Sequence, residues 1–343
     1  MVKTQAKLAD GRELFYYGKF ADDPDPLTDT RPLQPGQMSS QARYDPLLDD
    51  WVLITGHRND RPNLPPYTEC PLCPSRPGRP TEVPAAGYEV VVFQNRYSAL
   101  TPESGGRCEV VIFSPDHDTS FADLTPAQAS LVLAAWTDRT AELSGQAGIR
   151  QVYCFENRGR EIGVSLSHPH GQIYAYPFIT ARTSRMLTAA RAHRDRTGQN
   201  LFDDILGAER ADGTRIVTAG KHWTAFVPLA ARWPVEVHLY PNRRVPDLTC
   251  LTGNEGNEFC ELYLDILRRF DRLFDSPAPY ISAWHQAPLQ SDRNQFALHL
   301  ELFTIRRSQG KLKYLAGTES GMDAFTNDIT PEDAARRLRE ISV

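Results

Sequence analysis

Two histidines flank a proline in the stretch SLSHPHGQIYAY, residues 165–176. Side chains of an extended chain alternate, so His168, His170 and Gln172 are expected on one face. Pro169 fixes the backbone between the rings and donates no ladder hydrogen bond, which places the segment at a strand start or edge. Gly171 lets a ligand approach the backbone. Three chemistries suit the pattern. Both rings can be structural histidines at a strand end, each then needing a polar partner. One ring can bind a metal. One ring, neutral near pH 7, can act as a nucleophile.

A second chemical group is Cys70-x-x-Cys73 in ECPLCP, residues 69–74. That spacing lets two thiolates share one tetrahedral zinc through a tight turn. The flanking prolines argue against the strand–helix setting of a redox pair, and an unliganded pair is the remaining alternative. Zinc needs two more ligands, and nine histidines are available. His117, in the loop SPDHDTS straight after a strand-like run, is either such a ligand or a solvated loop residue.

The elements that must position these residues repeat. The first half reads YEVVVF (88–93), RCEVVIFSP (107–115), a helical run at 122–143, QVYCFENRG (151–159) and GQIYAYPF (171–178). The second reads HWTAFVP (222–228), VEVHLYP (235–241), a helical run at 246–274, YISAWHQAP (280–288) and FALHLELF (296–303). Each half is strand, strand, helix, strand, strand, which points to duplication. Short loops between strands predict antiparallel pairing and an α+β fold. Thr125 as N-cap followed by Pro126 starts the first long helix. A stripe of Leu262, Tyr263, Ile266, Leu267, Phe270, Leu273 and Phe274 marks the second. A last helix is expected from Pro331 to Ile341, capped by Thr330. Residues 21–40 and 61–88 read as loop, and 198–220 as a turn-rich crossing between the halves. The expected organisation is an N-terminal arm (1–42), a first unit carrying the metal and histidine motifs (43–200) and a second unit (201–343).

HPHGQ, preceded by CFENRG and followed by IYAYPF, resembles the histidine-triad superfamily and, within it, the galactose-1-phosphate uridylyltransferase family. The likeness runs from about Arg43 to the C-terminus. It implies two tandem histidine-triad-like units, a largely antiparallel sheet flanked by helices, and a homodimer. It also implies a reaction: UMP passes from UDP-glucose to galactose-1-phosphate, releasing glucose-1-phosphate and forming UDP-galactose. On this resemblance His170 is the nucleophile and becomes uridylylated. Cys70, Cys73, His117 and His168 hold one structural zinc. Arg58 and Arg61, in HRNDRP, bind substrate; Asn95 and Asn157 face the nucleotide. Lys313 and Glu319 approach phosphate and hexose hydroxyls across the dimer. Gln172 and Ser165 are placed to donate to a phosphoryl oxygen as charge shifts. Many members carry a second metal, often iron. Here His285 and His299 stand at its ligand positions, Glu301 replaces a histidine, and Met186 stands at the glutamate position, so that site is altered or absent. Leu166-Ser167 stand where the family commonly has Asn-Pro, and Asn95-Arg96 where it has Asn-Asp. The runner-up function is a related nucleotidyl phosphorylase, acting for example on ADP-glucose. A zinc-stabilised binding protein without turnover ranks last.

Composition narrows the field further. The 343 residues are 41% hydrophobic and 24% charged, with a net charge of −5. An acidic chain argues against a nucleic-acid partner held by a basic surface. An anionic small molecule then needs local positive charge. No apolar run approaches the roughly 20 residues that cross a bilayer, and the first residues lack an apolar signal core. Cys108 and Cys154 lie in apolar runs as buried small hydrophobes. Together these predict a reduced, cytoplasmic protein.

Overall fold

A computed structural model describes residues 1–18, 28–34, 39–60, 63–85 and 87–343. The strands are β1 (Lys3–Lys7), β2 (Glu13–Tyr17), β3 (Gln41–Asp45), β4 (Asp50–Ile54), β5 (Val90–Gln94), β6 (Arg107–Ile112), β7 (Gln151–Arg158), β8 (His170–Tyr176), β9 (Ile216–Ala219), β10 (Trp223–Phe226), β11 (Val235–Pro241), β12 (Tyr280–His285), β13 (His299–Thr304), β14 (Arg306–Ser308) and β15 (Lys311–Leu312). The helices are α1 (Pro126–Ser144), α2 (Ala181–Thr197), α3 (Leu201–Asp212), α4 (Gly253–Arg272), α5 (Gly317–Met322) and α6 (Pro331–Glu340). The expected α+β class with antiparallel strands and flanking helices is borne out.

Two compact units form. The first comprises Met1–Cys154, Val164–Arg185 and Pro288–Ser291; the second comprises Phe155–Gly163, Met186–Ala287 and Asp292–Val343. Their borders interleave, so no single cut near residue 200 divides them. β5, β6, β8 and β7 are neighbours in that order, β7 beginning in the first unit and passing into the second after Cys154, and within the second unit β10, β11, β13 and β12 follow the same order. The strand–strand–helix–strand–strand repeat read from the sequence therefore has a matching topology in each unit.

Three differences from the sequence reading have physical causes. Residues 1–42 were set apart as an arm. In fact β1 and β2 pair as a hairpin, and β2 pairs with β5. Leu14, Phe15, Tyr16 and Tyr17 are buried there, a contiguous run that alternation alone does not reveal. Residues 198–220 hold α3 and β9, because Asn200 caps α3 by accepting from the N–H groups of Phe202 and Asp203. The long helix after residue 246 starts only at Gly253, where Thr252 and Glu255 form a capping box. Thr125 with Gln128, and Thr330, cap α1 and α6 as expected.

The strand pair that carries the site is held from below. Glu109 on β6 is fully buried and takes a two-pronged bond from Arg139 of α1, with both contacts at 2.8 Å. Arg107 adds a third contact at 2.7 Å. Gly106, just before β6, is required for close approach: a Cβ there would lie 2.7 Å from the Ala175 carbonyl oxygen of β8. In the second unit Glu156 is buried and accepts from the Tyr280 hydroxyl at 3.0 Å. Burial pushes its carboxyl up to about 7, partly opposed by that bond and by Arg158.

Arg139→Met leaves Glu109 buried with only Arg107, and is expected to cost about 3 kcal/mol in urea unfolding. A change below about 1 kcal/mol contradicts the reading. Glu156 binds its proton more tightly folded than unfolded, so its contribution is complete below the unfolded carboxyl range and is lost as pH rises through about 7. Glu156→Gln should therefore flatten a decline in unfolding free energy of about 3 kcal/mol between pH 4.5 and 8. An unchanged slope contradicts it.

Candidate active site

β8 begins at His170, so period-two alternation starts there. His170 and Gln172 both line a cavity of about 290 Å³ in the first unit. His168 precedes the strand, is buried, and does not line the cavity. The expected shared face of three residues is thus two, and Pro169 separates two differently used rings.

The rings are locked by opposite nitrogens. His168 donates from Nε2 to the Ser114 carbonyl oxygen at 2.9 Å, leaving Nδ1 unprotonated and 3.6 Å from Cys73 Sγ. His170 donates from Nδ1 to the His168 carbonyl oxygen at 2.7 Å, leaving Nε2 with its lone pair. A carbonyl only accepts, so each tautomer follows from its partner. Burial pushes His168 down to about 4 and lowers His170 as well, which keeps both imidazoles neutral near pH 7.

Cys70, Cys73, His117 and His168 bring one donor atom each to within 4.8 Å of one another. His117 Nδ1 lies 3.4 Å from Cys73 Sγ. Both thiols are buried and free. Burial, with Cys70 beside it, raises the Cys73 thiol to about 12, partly opposed by Arg79 and Arg76. The loop is braced by Arg79, which donates to the Cys70 carbonyl at 3.1 Å, and by Thr81, which donates to the Cys73 carbonyl at 2.5 Å. Leu72, Cys70 and Cys73 pack in one apolar cluster with Val91, Val110 and Leu14. Four preformed donors of this type can hold a metal ion.

The cavity supplies the local positive charge that the acidic chain otherwise lacks. Arg31, Arg58, Arg79 and Arg96 line it, against Glu69 and Glu82. Asn95 and Ser165 also line it. Nε of Arg58 is shielded from solvent and has no hydrogen-bond partner, an open donor suited to an anionic oxygen. Arg61 lies outside the described residues. Asn157 sits on β7 in the second unit and is not a lining residue. Lys313 and Glu319 are buried and bind each other at 2.8 Å; neither lines the cavity. Arg31 and Arg79 were not singled out from sequence, and Arg96 was noted only as standing where the family has Asp. Arg96 follows the flagged Asn95, whereas Arg31 and Arg79 lie in proline-rich segments with no periodic signal.

The second unit repeats one device. His299, first residue of β13, donates from Nδ1 to the Ala297 carbonyl at 2.8 Å, as His170 does two residues back in the first unit. Its Nε2 faces Glu301 at 3.5 Å, and His285 Nε2 faces the same carboxylate at 3.4 Å. These three residues also group as possible metal donors. Burial pushes His299 down to about 4. Met186 packs against the apolar cluster of Phe296 and Tyr240.

A neutral imidazole with a free Nε2, at the wall of a guanidinium-rich cavity, suits an enzyme that transfers a phosphorus-centred group. A solved uridylyltransferase matches with a TM-score of 0.79 and 33% identity, covering 88% of this chain and 97% of that one. Family models described as the N-terminal and C-terminal domains of galactose-1-phosphate uridyl transferase match residues 101–180 and 186–343. The chain belongs to the galactose-1-phosphate uridylyltransferase family. A galactose-1-phosphate uridylyltransferase of Streptomyces lividans is 50% identical, covering 100% of this chain and 98% of its own. An ADP-glucose phosphorylase of Arabidopsis thaliana shares the fold, with a TM-score of 0.70, 24% identity, and coverage of 89% of this chain and 100% of its own.

Elemental analysis of the native protein should find about one tightly held divalent metal per chain at the cysteine–histidine cluster. Cys73→Ala and His117→Ala should each lose most of it and lower the melting temperature. Native protein free of metal contradicts this assignment.

Proposed function

We propose that this protein is a galactose-1-phosphate uridylyltransferase that moves UMP from UDP-glucose to galactose-1-phosphate through a uridylyl group on His170. One observation carries the reading: the His170–His168 carbonyl bond leaves Nε2 as the free nucleophile in a cavity lined by four arginines.

In the first step Nε2 of His170 attacks the α-phosphorus. A P–N bond forms, the P–O bond to glucose-1-phosphate breaks, and its electron pair leaves with that phosphate. The ring keeps its Nδ1 proton and becomes cationic, and the His168 carbonyl is placed to stabilise that charge. In the second step a phosphate oxygen of galactose-1-phosphate attacks the same phosphorus. The P–N bond breaks, UDP-galactose leaves, and neutral His170 is restored with no net proton change. Gln172 is positioned to donate its amide to a non-bridging oxygen, with Ser165 nearby. Arg58 offers an open N–H to the same anion, and Asn95 belongs to the nucleotide side. On the family resemblance Arg61, Asn157, Lys313 and Glu319 join substrate binding. The buried Lys313–Glu319 pair would then have to reach substrate in an assembled dimer.

The metal is read as zinc. A tetrahedron with Zn–S of about 2.3 Å and Zn–N of about 2.0 Å has S···N edges of about 3.5 Å. The observed 3.4 and 3.6 Å support that fit. Four protein ligands make the site structural, tying His168 and the Cys70–Cys73 loop together. His285, His299 and Glu301 are read as an altered second metal site, in which Met186 contributes no ligand. The first unit is the catalytic domain and the second its diverged copy. Exposed Leu47, Leu48, Trp51 and Val52 on and around the β3–β4 hairpin support a homodimer. Six free cysteines support a reducing, cytoplasmic setting. Among the described residues no helix is long and apolar enough to cross a membrane.

The test is partial exchange. With no acceptor sugar present, labelled glucose-1-phosphate should enter UDP-glucose, as a two-step transfer requires. Galactose-1-phosphate should then drain the label faster than inorganic phosphate does. Exchange that needs the second substrate overturns the covalent route. Preference for ADP-glucose and phosphate overturns the uridylyl assignment in favour of the phosphorylase reading.

A further inference from the structure

Beside the cavity lies a charge cluster that the reaction has not yet used. Asp10, Asp29 and Glu82 have side chains only 6%, 1% and 10% exposed. Two nearly buried guanidiniums face them. Arg12 reaches Glu82 at 2.6 Å and Asp10 at 2.8 Å, and its third arm donates to the Gln94 carbonyl at 2.9 Å, next to Asn95. Arg31, from the short described segment 28–34, binds Asp29 at 2.7 and 2.9 Å and Glu82 at 2.9 Å. Asp29 is fixed in turn by the Ala9 N–H at 3.0 Å, which ties the segment to the turn between β1 and β2.

Arg96 is different. Its side chain is 44% exposed, it lines the cavity, and its guanidinium stands 4.0 Å from Glu82, outside hydrogen-bond range. Both oxygens of Glu82 are already held, Oε1 by Arg31 and Oε2 by Arg12 with a longer contact from Arg31 at 3.4 Å. Removing Arg31 would leave Oε1 of this buried carboxylate without its 2.9 Å partner while Arg12 stays on Oε2, and Arg96 stands 4.0 Å from Oε1. Arg96 would be drawn onto Glu82 and lost to the cavity.

We propose that Arg31 is a positioning residue for the substrate's diphosphate: by holding Glu82 it keeps Arg96 available to phosphate oxygens in the cavity. This rests on the reading that the cavity takes a nucleoside diphosphate sugar. It gives the N-terminal segment a part in substrate binding, through electrostatics and not through contact with the reacting atoms.

The experiment measures KM and kcat for UDP-glucose with saturating galactose-1-phosphate, on full-length protein, with melting temperatures recorded for each variant. Arg31→Met should raise KM about tenfold with the loss falling on KM more than on kcat. Glu82→Gln should leave KM within about twofold of wild type, since Arg96 is already free of Glu82 there. The double variant should return to within about threefold of wild type. A purely structural Arg31, or one that binds substrate directly from the cavity wall, would give a raised KM in both the single and the double variant, and that overturns the proposal. So does an unchanged KM in Arg31→Met, or a raised KM in folded Glu82→Gln; the last decides the matter even where Arg31→Met does not fold. Failure of the wild-type protein to turn over UDP-glucose is a separate outcome and overturns the substrate reading itself.

Discussion

The Nδ1–H of His170 rests on the carbonyl oxygen of His168 at 2.7 Å, and the chemistry of the first unit depends on that bond. It decides the tautomer, and therefore which nitrogen can attack. The carbonyl is well placed only because His168 is itself pinned, by Ser114 on one nitrogen and by its approach to Cys73 on the other. The cysteine–histidine cluster thus acts at a distance of two residues. On the proposed mechanism it supplies no reacting atom and fixes the backbone from which the His170 ring hangs. Below it, the Glu109–Arg139 pair holds β6, the strand against which β8 is registered, with Ile112 opposite His170 and Val110 opposite Gln172.

The second unit shows what remains when such a device loses its surroundings. His299 keeps the same bond to a carbonyl two residues back, at the start of the equivalent strand. Its free nitrogen meets Glu301 and not an arginine-lined cavity. The two units share the strand order and this backbone bond, while the side chains at the strand mouth differ.

What could be read from sequence was whatever is local. His168-Pro169-His170, Gln172 and Cys70-x-x-Cys73 carry their chemistry within a few residues, so their types and spacing were enough to group them. The helix caps at Thr125 and Thr330 were legible for the same reason. Of the cavity wall, Arg58 and Asn95 were named only through the family resemblance, and Arg31 and Arg79 not at all, because these residues come from separate segments and meet only in the fold. The side of the chain that His168 faces was misjudged, since alternation presumes a strand and β8 starts two residues later. The β1–β2 hairpin was hidden beside an Asp- and Pro-rich stretch that dominates the composition of its neighbourhood, and α3 was hidden among the glycines around it.

The most direct measurement is a mass map of the protein after exposure to UDP-glucose alone. The account predicts one uridylyl group on the peptide carrying His170, stable in base, released by acid, and absent from His170→Ala. Protein that stays unmodified, or carries the group on another residue, would contradict it.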